Sequence, residues 1–195
     1  AAGRAMVVAA DNQWWTGKTV EFAKYCREVG ADVLMVLPPN WGRSCTVETF
    51  VEHYAAVAEH IPVMAVTNVF APAPERGIET LSALQDKVDG VVAVKDDVGG
   101  EFARTMTALV GDRLAVFSGG KKRNHLAVLD SGAVGYMSTF ILFDSSVTRE
   151  YWQAVQRRDR AAAERVIEDH DDPFFDYILS LRGGFDAAMH GLLEL

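Results

Sequence analysis

The chain is 195 residues long, 49% hydrophobic and 24% charged, the composition of a globular protein with one sizeable core. A net charge of −8, with one basic cluster at Lys121, Lys122 and Arg123, argues against nucleic-acid binding, which needs a broad basic surface. No apolar run approaches the roughly 18 residues that cross a bilayer, and two cysteines, Cys26 and Cys45, are too few for a disulfide framework or a zinc site.

In chain order, short apolar runs recur at 5–10 ("AMVVAA"), 32–37 ("DVLMVL"), 62–68 ("PVMAVTN"), 90–95 ("GVVAVK"), 113–118 ("RLAVFS") and 133–138 ("AVGYMS"). None alternates strictly, as expected of parallel strands covered on both faces. Between them lie helical patterns. In 16–30, Thr16 is a candidate cap, Val20, Phe22, Ala23 and Cys26 form an apolar face, and Gly30 is the stop. In 46–60, Thr46 precedes Phe50, Val51, Tyr54, Val57 and Ala58. Strand starts fall about 20 to 30 residues apart, the length of one βα unit, which predicts an α/β fold with a parallel sheet. From 147 onward the pattern is helical only, with Pro173 read as a break. The expected division is therefore 1–146 as the α/β part and 147–195 as a C-terminal helical extension.

The region after the first run holds no dinucleotide glycine fingerprint, and "GKT" at 17–19 lacks the first glycine of a phosphate loop, because that position is Asn12. The fourth run ends in Lys95. The carboxyl ends of parallel strands form the functional face, where desolvation lowers a lysine's pKa and prepares it to attack a carbonyl. The competing reading is a strand-exit lysine paired with Asp97; alternation turns Asp96 away from it. "SGGKKRN" at 118–124, with Gly119 and Gly120, reads either as an anion-binding helix start or as a tight turn with a solvated basic face. Trp14, Trp15 and Trp41 fall in loops on the presumed functional face and suit a pocket wall or a lid over the core. The five histidines show no ligand spacing, and the acidic "EDHDDPFFD" at 168–176 reads as a solvated helix end rather than a metal site.

The stretches "GADVLMVLPPNWG", "IPVMAVTNV", "VDGVVAVKDDVGG", "LAVFSGGKKRN" and "SGAVGYMSTF", in this order and spacing, resemble the dihydrodipicolinate synthase and N-acetylneuraminate lyase family of Schiff-base lyases. The resemblance implies a parallel (β/α)8 TIM barrel, of which about six βα units, strands three to eight, are present here, followed by C-terminal helices. Because the sequence opens without Met in what reads as a helix end, it is expected to be a segment of a longer protein. The resemblance also implies Lys95 as the Schiff-base lysine, Thr67 at the position of the family's catalytic tyrosine, and Met137 and Ser138 near the bound keto acid. Asn40 stands where the family has the second tyrosine of a "PYY" loop, and the arginine that follows the tyrosine strand in true dihydrodipicolinate synthases has no counterpart in "VFAPAPE". The function implied is C–C cleavage or formation, or dehydration, on pyruvate or a related 2-keto acid. A barrel that binds without catalysis is the alternative. No cofactor is expected; the expected setting is cytoplasmic, in a homo-oligomer (dimer or tetramer) without nucleic-acid or membrane partners.

Overall fold

The computed structural model describes residues 3–11, 15–39 and 45–194. Each expected strand forms: β1 (Val8–Asp11), β2 (Val33–Val36), β3 (Val63–Val66), β4 (Val91–Asp96), β5 (Ala115–Ser118) and β6 (Gly135–Tyr136). They make one six-stranded sheet in the order β1-β2-β3-β4-β5-β6, and the pairs from β1 to β5 are parallel. A doubly wound sheet reverses its strand order at a switch point, and this one never does. Sequential order puts every crossover helix on one face, and α1 (Thr16–Glu28), α2 (Val47–Ala58), α3 (Pro74–Lys87) and α4 (Gly100–Val110) pack there side by side. This is the winding of a parallel α/β barrel over six strands. Among the described residues no helix is long and apolar enough to cross a membrane.

The core between sheet and helices holds Leu34, Val36, Val63, Ala65, Val91, Val94 and Val116 against Phe50, Tyr54, Leu81, Leu84 and Met106. Val91 and Val94 both face the helices although three residues apart, which strict alternation forbids. The register explains it: Val63 pairs with Val91 but Met64 with Ala93, so Val92 is an extra residue. This irregularity reverses the phase of β4 beyond it. Lys95 consequently faces away from the helices, level with Val66 on β3 and Phe117 on β5. Gly135 makes room for that phenylalanine, since a Cβ there would lie 3.1 Å from the Phe117 ring.

Two helix starts differ in detail. Thr46 caps α2 by accepting from the Thr49 N–H, as its position predicts. At α1 the capping residue is Trp15, with no side-chain cap bond, and Thr16 lies inside the helix with its hydroxyl 2.9 Å from His53 Nδ1. Gly30 does end α1, at φ +86, a left-handed conformation that side chains rarely adopt. Cys26 and Cys45 are unpaired and buried.

The chain forms two compact units: residues up to Ser118 with Val128–Gly135, and Gly119–Ala127 with Tyr136 onward. The second contains most of α5 (Lys122–Val128), then α6 (Ser145–Gln156), α7 (Arg160–Val166), a π-helical turn Ile167–Asp171, α8 (Asp172–Ser180) and α9 (Gly184–Leu193). Pro173 does not break this run. It sits in the first turn of α8, where a missing N–H costs nothing, and the π turn carries the chain into α8 without leaving helical geometry.

Candidate active site

Lys95 is the penultimate residue of β4, at the carboxyl end of the sheet. Its side chain is 18% exposed, and its Nζ donates to Asp97 Oδ1 at 2.6 Å, with Oδ2 of the same carboxylate equally engaged. The flanking Val66 and Phe117 are apolar, so the ammonium has no lateral polar partner on either neighbouring strand at its own level. An ion pair this shielded is stronger than one in open solvent but still reaches water.

Asp96, 2% exposed, points away from Lys95 as alternation requires. Its Oδ1 accepts from the Thr67 hydroxyl at 2.9 Å and from the Val98 N–H at 3.0 Å, and its Oδ2 accepts from the Gly99 N–H at 3.0 Å. The "GG" that follows allows this tight turn: Gly99 at φ +77 and Gly100 at φ +60 bring the chain into α4 through left-handed backbone. Thr67 is wholly buried at the end of β3, and its N–H donates to the Lys95 carbonyl at 3.1 Å. Its hydroxyl gives its proton to Asp96 and accepts the Asp97 N–H at 2.9 Å. Thr67 and Lys95 are thus brought together through the backbone between them, with the threonine hydroxyl committed to the two aspartates. From the sequence Asp97 is only a rival explanation for Lys95; its bidentate grip on Nζ and its anchored N–H make it part of the site. The signal for it was the "KDD" run itself.

The remaining expected residues divide. Asn40, like Trp14 and Trp41, lies outside the described residues, and Trp15 is exposed ahead of α1. Met137 and Ser138 follow β6 in the second unit, both half-buried, with Ser138 Oγ 2.8 Å from Thr148 Oγ1. Gly119 and Gly120 precede α5 there, Gly120 at φ +69. The basic run after them is neither solvated nor open to an outside anion at Lys122. Lys122, 1% exposed, donates from Nζ to Asp171 Oδ1 at 2.7 Å and from its backbone N–H to Oδ2 at 2.8 Å. Arg123 pairs with Asp172 and Lys121 with Asp176. "KKR" and the acidic "DDPFFD", read separately in the sequence, are each other's counter-charges, and Asp171 is a buried ion-pair partner instead of a solvated end. Burial depresses the Lys122 pKa, opposed by the Asp171 hydrogen bond and charge.

A parallel sheet wound in strand order, with a half-shielded lysine at the carboxyl end of its fourth strand, defines the class of α/β-barrel proteins whose functional groups sit at strand ends. Within that class the chain belongs to the dihydrodipicolinate synthetase family, whose family model matches residues 1–179. It is 31% identical over 198 residues to a probable 5-dehydro-4-deoxyglucarate dehydratase of Xanthobacter autotrophicus, covering 96% of this chain and 62% of that protein. It is 26% identical to a 4-hydroxy-tetrahydrodipicolinate synthase of Rhodopseudomonas palustris, covering 100% and 65%. Among solved structures, YagE of E. coli K12, a prophage protein of the dihydrodipicolinic acid synthase family crystallised with pyruvate, superposes with a TM-score of 0.80 at 18% identity, over 99% of this chain and 65% of that one. The chain spans under two thirds of the length of these relatives.

Proposed function

We propose that this chain carries the nucleophile of a Schiff-base-forming lyase acting on pyruvate or a related 2-keto acid, with C–C cleavage or dehydration as its chemistry. One observation carries the reading: Lys95 stands at a strand's carboxyl end on the face away from the helices, partly shielded and set between Val66 and Phe117. A neutral amine there condenses with the ketone, and the resulting iminium withdraws electrons from the adjacent carbon, so that a bond to it can break. The kinship with a dehydratase of a sugar-derived acid, over nearly all of this chain, favours dehydration of a hydroxylated 2-keto acid over condensation with an aldehyde. In this reading Thr67 and Asp96 hold the turn after β4 and so fix where Lys95 projects.

The test is borohydride reduction of the chain with pyruvate and with 4-deoxy-5-keto sugar acids, followed by intact-mass analysis and peptide mapping. A reduced adduct on Lys95, absent from Lys95→Ala, is the expected result. Absence of any adduct across these keto acids overturns the reading. The alternative, a family member that binds keto acids without turnover, is favoured by the commitment of the Thr67 hydroxyl to Asp96. It predicts the adduct with no release of product.

A further inference from the structure

A Schiff-base lysine must lose a proton to become nucleophilic, and the carbinolamine it forms must gain one to expel water. The family resemblance offers no phenol for this at Thr67, and the threonine hydroxyl is occupied by Asp96 and the Asp97 N–H. Among the described residues, the group that touches the reacting nitrogen is the Asp97 carboxylate, 2.6 Å from Lys95 Nζ. It is 25% exposed, shielded enough to interact strongly yet open enough to reach a ligand over Lys95. Its backbone N–H is held by the Thr67 hydroxyl at 2.9 Å.

We propose, on the basis of the lyase reading, that Asp97 is the general acid and base of imine formation at Lys95. The carboxylate takes a proton from the ammonium, leaving a neutral amine and a carboxylic acid. The amine nitrogen adds to the ketone carbon, and Asp97 gives its proton to the developing alkoxide. The carboxylate then removes a second proton from the nitrogen and delivers it to the carbinolamine hydroxyl. The C–O bond breaks, water leaves, and a protonated imine faces an ionised Asp97 again. In sum an ammonium and a ketone become an iminium and one water, with charge conserved and Asp97 returned to its starting state. The iminium keeps the counter-ion that the ammonium had. Of the groups packed around the pair, β4 itself contributes the carboxylate of Asp96, whereas β3 contributes Val66 and Thr67 and β5 contributes Phe117 and Ser118, none of which titrates here.

The experiment measures the pH profile of Lys95 adduct formation with pyruvate, by borohydride quenching at timed intervals, for the full chain and its Asp97→Asn and Asp97→Ala variants. As acid and base, Asp97 supplies about 10²–10⁴-fold; the maximal rate of the profile falls by that factor in both variants, and added formate restores part of it in Asp97→Ala. Were Asp97 only a counter-ion, its removal would free the amine. The profile would then shift to lower pH with an unchanged maximum and no response to formate, which overturns the proposal while leaving the lyase reading intact. A parent chain that forms no Lys95 adduct overturns both. Circular dichroism of Asp97→Asn against the parent shows whether the variant is folded, and formate rescue in Asp97→Ala cannot arise from an unfolded chain.

Discussion

Burial decides the charge state of individual side chains in this protein, and the histidines show it most directly. His53 and His125 are 3% and 0% exposed, and each has a buried Nε2 without a hydrogen-bond partner. His125 Nδ1 meets the Tyr151 hydroxyl at 2.8 Å; because that hydroxyl donates to the Lys122 carbonyl, Nδ1 is the donor. Desolvation pushes both imidazoles down to about 4 from the ordinary value of 6.5. Between those limits the unfolded chain binds protons that the folded chain refuses, so stability falls as pH drops from 6.5 towards 4. By pH 5 each histidine removes about 2 kcal/mol. Urea unfolding at pH 7 and pH 5 should therefore show a smaller loss for His125→Phe than for the parent, even if the variant starts lower for want of the Tyr151 bond. Equal losses would mean that the ring is not held neutral. Nothing in the sequence marks these two rings, since none of the histidines has a recognisable spacing. A cation ending an aliphatic run stands out in the sequence, but a strand-exit lysine paired with Asp97 accounts for it equally well, and it is the family resemblance that singles out Lys95. Asp97 is visible in the sequence as a partner for Lys95, whereas the role proposed for it rests on the engagement of the Thr67 hydroxyl by Asp96 and the Asp97 N–H, which no sequence pattern shows.

At the level of elements, most strand positions could be read from apolar runs, while the phase of β4 could not. The residues "VVAV" are interchangeable in hydropathy, so nothing in them marks Val92 as the extra residue that turns Lys95 away from the helices. The union of α5 with the π turn was equally hidden, since its two halves stand 49 residues apart. Lys122 lies 4.1 Å from the Phe140 ring centroid and is closed in beneath it, with Asp171 holding both its ammonium and its N–H. Lys122→Met leaves the wholly buried Asp171 with a single donor, the Lys122 backbone N–H. A loss of about 3–5 kcal/mol is expected, as for other buried pairs cut on one side. Adding Asp171→Leu removes the stranded charge and should recover part of that loss, a favourable coupling that denaturant titration of the two single variants and the double variant would measure. A loss below about 1 kcal/mol in Lys122→Met would show that the pair is not closed off from water.

For the whole molecule, the organisation of interest is the way the backbone is divided. The boundary between the compact units is crossed after Ser118, after Ala127 and after Gly135, so neither unit is a continuous stretch of chain. The stretch from β5 to β6 supplies α5's Lys122 and His125 to one unit and Val128 and Ala133 to the core of the other. A hydropathy pattern that changes only near residue 147 carries no sign of such interleaving. On this division, unfolding the second unit removes the ordered chain on both sides of the segment that holds Val128 and Ala133, which is expected to weaken its hold on the first unit's core. Cooperative units reveal themselves as amides that lose protection together. Hydrogen exchange at rising urea should therefore show the β3 and β4 amides and those of α6 opening with the same free energy and the same denaturant slope. Amides of α6 that open several kcal/mol earlier, with β3 and β4 still protected, would show instead that the C-terminal helices unfold independently of the sheet that carries Lys95.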